Sequence, residues 1–450
     1  MKAIYYCLFF AVFICFAGCP DLSVSEDAPK DRAYFPGSLL QTDKQLYVFS
    51  YNQDLRYSGG SILKLDLNTI GQDDQNAKIV SSFAPIPSFA EAPVLLGNSK
   101  ILFLSRSTDE MLRFDISTNT SEKAQFDLTP DSAGLIRNWL WHDPYYLSIL
   151  SNIGNEVTGL IGYLNDKSSL EKIEDFIGSR LENYGELEVF SLTDKLKINH
   201  TYRLQDIVPS PNPAANSSTT GESPYRRISH IGGIKILDKD DMPFVLIGAD
   251  ALPSSANLFS ITRQSRLLWF SANNLEKEID KKTIGEHILQ PGKIVGFDVI
   301  KNKNLFQVYV IMEDPNLLMR VDLTKTTDGF TAQTNGQAPL CEKANDIRVA
   351  PKQKTLLVSC AQNSEILAFD TSDLMLVGRD MNIKDPASPQ GRGPVHILFD
   401  GDSENQRAFV SYALDGSIGI FEVDDNKGKK RLNTVGRIFN QAPFNHPGGQ

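Results

Sequence analysis

An all-β fold is what this sequence predicts, a β-propeller of seven blades with four short antiparallel strands in each. Three observations predict it. One strand motif recurs seven times along the 450 residues, with apolar residues alternating before an Asp, Glu or Ser at a fixed place. Most copies are preceded, across a polar turn, by a second apolar strand. The polar positions recur at spacings compatible with blades of ~40–50 residues, stretched where loops are inserted.

The copies are Ile62–Leu67, Met111–Ile116, Leu187–Leu192, Leu258–Ile261, Leu318–Leu323, Ile366–Thr371 and Ile418–Val423. Period-two alternation marks strands. The polar residue closing each copy suits a strand end, where a short side chain bonds to the backbone of the following turn. Upstream partners are Leu46–Ser50, Lys100–Leu104, Phe244–Gly248, Val308–Met312, Leu356–Val358 and Ala408–Ser411. Later units add an inner strand, at Asp298–Ile300, Asp346–Val349 and Val395–Phe399, and Leu374–Gly378 reads as a fourth strand. Insertions are expected at 155–185 and 207–224. The first holds a run, Ser168–Tyr184, whose Leu170, Ile173, Phe176, Ile177 and Leu181 have helical spacing. The second is low-complexity loop rather than a linker, because the repeat continues on both sides.

The N-terminus is of a different kind. Met1-Lys2 precedes an apolar run to Gly18, shorter than the ~20 residues that span a bilayer and fitting a cleaved export signal. Phe16-Ala17-Gly18-Cys19 resembles the lipobox of bacterial lipoproteins, with Phe16 where that pattern prefers Leu. The resemblance implies that residues 1–18 are removed and that Cys19 carries fatty acids such as palmitate. The chain is then held in a lipid bilayer of the bacterial cell envelope, the outer membrane rather than the inner. Residues 19–33 become an acylated tether, and 34–450 form the propeller. The last two units resemble the YVTN-type propeller repeat in Gly393–Asp402, Arg407–Tyr412 and Gly416–Val423, with a similar match over Asp346–Thr371. That family shares a fold and is mixed in function.

Composition narrows the partners. With 45 basic against 55 acidic side chains, the net charge of −10 excludes the basic patch that nucleic acid requires. Of five cysteines, Cys7 and Cys15 lie in the signal and Cys19 is the acylation site. Cys341 and Cys360 remain, flanking a predicted hairpin around Pro351–Lys354. In an exported chain they form either a disulfide or two separate buried thiols.

No histidine pair has metal-ligand spacing, and no G-x-S-x-G nucleophile elbow occurs, so neither a metal site nor a catalytic residue is assigned. The acidic pairs Asp73-Asp74, Asp240-Asp241 and Asp424-Asp425 read as solvated turns. Trp139-Leu140-Trp141-His142-Asp143 reads as packing within the third unit. The best-placed polar residues sit at the starts of inner strands, which line the central channel of a propeller. They are His230, Asp298, Asn345, Asp346 and His396, with Arg227, Arg348 and Arg392 near them. The expectation is a binding or scaffold module for a protein, peptide or glycan of the envelope. The alternative is a propeller enzyme, a lactonase-like hydrolase or a dehydrogenase, with its site in the channel. No cofactor is assigned.

Overall fold

A computed structural model describes residues 29–439 except 43, 52–57, 71–77, 88–89, 98, 106–109, 125–143, 154–155, 164–185, 194, 204–226, 240, 253–263, 274, 276–278, 280–282, 382–392, 401–405 and 427–430. Seven four-stranded antiparallel sheets form seven blades, each built from consecutive strands. Blade 1 comprises β1 (Pro36–Thr42), β2 (Gln45–Ser50), β3 (Gly60–Asp66) and β4 (Ile79–Ile86). Blade 2 comprises β5 (Ala90–Leu96), β6 (Lys100–Ser105), β7 (Glu110–Asp115) and β8 (Thr120–Ala124). Blade 3 holds β9 (Pro144–Ile153), β10 (Glu156–Tyr163), β11 (Glu186–Leu192) and β12 (Leu196–Arg203). Blade 4 holds β13 (Arg227–Leu237), β14 (Phe244–Leu252), β15 (Gln264–Ser271) and β16 (Gly285–Pro291). Blade 5 is β17 (Lys293–Asn302), β18 (Leu305–Glu313), β19 (Leu317–Lys325) and β20 (Phe330–Pro339). Blade 6 is β21 (Ala344–Val349), β22 (Thr355–Cys360), β23 (Glu365–Asp370) and β24 (Leu376–Met381). Blade 7 is β25 (Pro394–Phe399), β26 (Arg407–Tyr412), β27 (Ser417–Val423) and β28 (Leu432–Ile438).

Both faces of every blade are covered, so the middle strands read as near-continuous apolar runs. Along β2, Leu46 and Val48 face blade 7 while Tyr47 and Phe49 face blade 2. Seven hydrophobic clusters result, one at each seam of the ring. The first strands touch one another in order around the axis, and β25 returns to β1. Each sheet is continuous in sequence, so the ring closes by packing and side-chain hydrogen bonds rather than by a strand exchanged between blades.

In three of the motifs the closing Asp does what its position predicts. Asp66 Oδ1 accepts from Asn68 N (3.0 Å), Asp115 Oδ1 from Ser117 N (2.8 Å) and Asp370 Oδ1 from Ser372 N (2.8 Å). Hydrogen bonds from Ser117 and Thr118 hold the Asp115 carboxyl below the usual range. Asp66 also caps the 3-10 turn Leu67–Thr69.

Three elements differ from the sequence expectation. The fourth motif copy, Leu258–Ile261, lies outside the described residues, and the third strand of blade 4 is β15. Its Leu267 and Trp269 face blade 5 and its Leu268 and Phe270 face blade 3, with Ser271 Oγ accepting from Asn273 N (3.2 Å) in the role of the terminal Asp. β10 falls inside the stretch 155–185 expected as insertion. Val157 and Ile161 fill the seam to blade 2 and Leu160 the seam to blade 4, which makes it a core strand. Leu374 is in the left-handed region (φ 60°), a turn residue ahead of β24 rather than a strand start. The helical run Ser168–Tyr184 and the loop 207–224 lie outside the described residues, as do Trp139–Asp143 and everything before residue 29.

Candidate functional site

The seven first strands surround an axial cavity of about 550 Å³. Each contributes a lining residue: Ser38, Val94, Tyr145, Lys235, Asp298, Arg348 and His396 in order around the ring. All seven of these strands carry a register shift against their second strand, and the shift re-aims side chains toward the axis. Examples lie between Ile294 and Gly296, between Ala344 and Asp346, and between Pro394 and His396.

Four of the five predicted site residues meet here, and each reaches the next blade. Asp298 Oδ2 accepts from Val349 N of blade 6 (2.9 Å). Asp346 Oδ2 accepts from Ile397 N of blade 7 (2.8 Å), and Asn345 Nδ2 donates to Pro394 O (3.2 Å). His396 Nδ1 accepts from Leu39 N of blade 1 (3.3 Å). Asp250 plays the same part from β14, accepting from Ile294 N of blade 5 (2.9 Å). Buried serines add a second tie: Ser359 Oγ donates to Val395 O (3.4 Å) and Ser411 Oγ to Gly37 O (2.5 Å). These residues are latches between blades. A buried main-chain N–H left unpaired is costly, so the latches satisfy the bulged backbone where the ladder is interrupted.

The latches are joined by cations. Lys235 Nζ lies 3.1 Å from Asp298 Oδ1. Arg348 donates through Nε to Ile397 O (3.3 Å), and its Nη2 lies 3.1 Å from His396 Nε2 and 3.4 Å from Asp346 Oδ1. Burial pushes the Asp298 carboxyl up, but Lys235, Arg348 and the Val349 N–H outweigh it and hold the group below the usual carboxylate range. Burial also pulls the Arg348 guanidinium down, and Asp346, Asp298 and Tyr145 together raise it above its ordinary value. His396 is lowered to about 4, chiefly by burial; Asp346 pulls it up, and Arg348 and Lys235 push it further down. The geometry agrees: an imidazolium would turn N–H groups at both ring nitrogens against two donors, Leu39 N and Arg348 Nη2.

His230 lies on β13 opposite Asp250, and its side chain, like that of Arg227, lies outside the described residues; so does Arg392. The sequence missed Lys235, Tyr145 and Tyr146, which line the cavity from blades 4 and 3. Two register shifts in β13, between Ile228 and His230 and between Ile231 and Gly233, break the period that would have pointed to Lys235. The signal present was Gly232-Gly233, a bulge pair.

Outside the channel, Cys341 and Cys360 form a disulfide with Cα atoms 6.0 Å apart. The β21–β22 hairpin brings them together by pairing Ala344 with Cys360. Glu365 lies beside the bridge, but its Oε2 accepts from Arg379 Nε (2.5 Å). The described acidic-pair residues are also engaged: Asp241 with Lys325 (2.7 Å), and Asp425 with Thr355 Oγ1 and Gln406 Nε2.

No protein-family model and no curated protein matches the sequence. Among solved structures, the chain is similar to the β-propeller domain of Cps50 (Swd1) from Myceliophteria thermophila, at 10% identity over 89% of this chain and 99% of that one, TM-score 0.54. It is similar to hydrazine synthase of Kuenenia stuttgartiensis at 11% identity, covering 89% and 98%, TM-score 0.52. A putative 6-phosphogluconolactonase from Bacteroides fragilis is similar at 13% identity, covering 88% and 98%, TM-score 0.51. At such identities the likeness is one of fold, and the fold is shared by proteins of unlike function.

Proposed function

We propose that this chain is a binding module, a propeller that presents its channel to a protein, peptide or glycan partner. The observation that carries the reading is the commitment of Asp298, Asp346 and His396 to main-chain N–H groups of the neighbouring blade. A propeller hydrolase needs a carboxylate or imidazole turned to its substrate or to a metal. Here both carboxylates and the imidazole are spent on holding the ring together. The cavity falls within the ~300–1,000 Å³ range of ligand pockets and combines tyrosine faces with a few charged groups, the usual make-up of a recognition site.

The same proposal places the module on a bacterial envelope, tethered through acylated Cys19, in the outer membrane. Ala17-Gly18-Cys19 supports the tether. The Cys341–Cys360 disulfide suits an oxidising compartment. The YVTN-type pattern of blades 6 and 7 suits a family of propellers that is mixed in function. Labelling of cells with a palmitate analogue should mark the wild-type protein and not Cys19→Ser, which should move to the soluble fraction; if the two fractionate alike, the tether is wrong. Crosslinking in intact cells followed by purification should return an envelope protein or glycan. Recovery of no partner, together with turnover of a lactone by the purified protein, would replace the binding reading with the enzymatic one.

A further inference from the structure

Around the axis at the level of Asp298 and Asp346, every carboxylate oxygen already takes a hydrogen bond, while donors remain unspent. Asp298 Oδ1 takes Lys235 Nζ and Oδ2 takes Val349 N. Asp346 Oδ1 takes Ile347 N (2.9 Å) and faces Arg348, and Oδ2 takes Ile397 N. The one acceptor of the neutral His396 ring, Nδ1, takes Leu39 N, so Nε2 carries the proton on the side facing Arg348. Lys235, by contrast, gives only one of its N–H groups to Asp298, and its side chain is 38% exposed, opening on the cavity. Arg348 engages Ile397 O, Ile347 O, His396 and Asp346, which leaves one N–H of Nη1 unspent. Tyr145, from the far side of the ring, lies close enough to bear on the Arg348 charge.

A site with unspent cationic donors and filled acceptors selects a ligand that brings acceptors and negative charge. A neutral apolar ligand would strip water from Lys235 without replacing its hydrogen bonds. We propose that the axial cavity binds a small organic carboxylate, held by Lys235 and Arg348, with Asn345, whose Nδ2 is tied to Pro394 O, at its edge. This rests on the reading of the chain as a binding module and names the chemistry of its ligand. The latching carboxylates are then the counter-charges that keep Lys235 and Arg348 ionised and in place inside the ring.

Citrate is the probe, with trimethyl citrate as the uncharged control of the same skeleton, titrated into the full chain by calorimetry at constant ionic strength. Citrate should bind one to one with a Kd in the millimolar range or below, and trimethyl citrate should give no heat. Lys235→Arg should keep citrate affinity within about threefold. Lys235→Gln should lose at least tenfold. Because Lys235→Gln leaves Asp298 short of a partner, the double variant Lys235→Gln with Asp298→Asn, which removes both charges of the pair, should fold and show the same loss. Absence of citrate binding to the wild type, or equal binding by the double variant, overturns the carboxylate site. A partner crosslinked to a wild type that ignores citrate sinks this proposal alone and leaves the binding-module reading standing.

Discussion

Leu39 and His396 meet where the last blade rejoins the first, and their hydrogen bond differs in kind from its neighbours. Val349 N and Ile397 N donate to carboxylates at 2.9 and 2.8 Å, whereas Leu39 N donates to an imidazole at 3.3 Å. Charge-assisted hydrogen bonds are shorter and roughly twice as strong. The imidazole acceptor must also stay neutral. In the unfolded chain it takes a proton below its ordinary value of 6.5, while in the fold it refuses one down to about 4, because burial, with Arg348 and Lys235, outweighs the pull of Asp346. Stability is therefore untouched above pH 6.5, falls as pH drops from 6.5 to 4, and levels off below; the loss amounts to about 3 kcal/mol. His396→Gln, whose amide oxygen still accepts from Leu39, should flatten this slope, as read by urea unfolding at a series of pH values. A slope that persists in the variant would assign it to other groups. Asp298 makes a second test at the same scale. Asp298→Ala leaves Lys235 without its partner and Val349 N without an acceptor; because Lys235 opens on the cavity and Arg348 keeps Asp346, the cost should be about 1–3 kcal/mol, that of the orphaned N–H. Asp298→Asn keeps an oxygen for Val349 and should cost clearly less.

At the scale of elements, the terminal Asp of the third strand couples a blade to its own turn and to the next blade. Asp370 Oδ1 accepts from Ser372 N, and its Oδ2 lies 2.7 Å from Arg431 Nη2 of blade 7. Burial raises this carboxyl, and Ser372 and Arg431 more than reverse it, so the group sits below the usual range and its contribution is lost only in acid. Asp370→Asn should preserve the turn and lose the ion pair. Asp370→Ala should lose both, and the gap between their urea midpoints, about 1 kcal/mol, measures the turn. This element was legible in the sequence because it is local: alternation sets the strand, and a short acidic side chain two residues ahead of a free N–H makes the turn. Blade count, the middle strands other than β10 and β15, and the Cys341–Cys360 hairpin were legible for the same reason. The channel was legible only in part. Asn345, Asp346 and His396 were placed near inner-strand starts, where they are found, whereas Asp298 lies midway along β17, which begins at Lys293; the roles of Asp298, Asp346 and His396 are set by amides of the adjoining blade, about fifty residues on for the two carboxylates and at the far end of the chain for His396. Lys235 was hidden by the two register shifts of β13, each of which reverses the faces that a period of two assigns. β15 was missed because a strand buried on both sides shows no alternation, and Leu258-Phe259-Ser260-Ile261 imitates the motif more closely than Leu267-Leu268-Trp269-Phe270-Ser271 does.

The whole molecule is seven blades in a closed series, and a closed series yields first at its weakest joint. Apolar burial does not single out a joint, since every seam has its own cluster and that between blades 7 and 1 includes Leu39, Val48, Phe409 and Ile420. Strand exchange would have made closure as firm as a sheet ladder, but each blade is continuous in sequence. What ties blade 7 to blade 1 is the imidazole latch, the Ser411 hydroxyl on Gly37 O, and Gln41 Nε2 donating to Asp400 Oδ1 (2.8 Å). Blade 6 is tied to blade 7 by a carboxylate latch, Asn345, Arg348 and Ser359. Of these two joints, the one between blades 7 and 1 should therefore open first, exposing Leu39 N before Ile397 N. Native-state hydrogen exchange reads both amides directly. Leu39 should show at least tenfold lower protection than Ile397 at pH 7, and the gap should widen as the pH falls toward 5, where the unlatched imidazole gains a proton that the closed ring denies it. Equal protection at both amides, or a gap indifferent to pH, would mean that packing alone holds the ring shut and that the latches serve only to satisfy the bulged backbone.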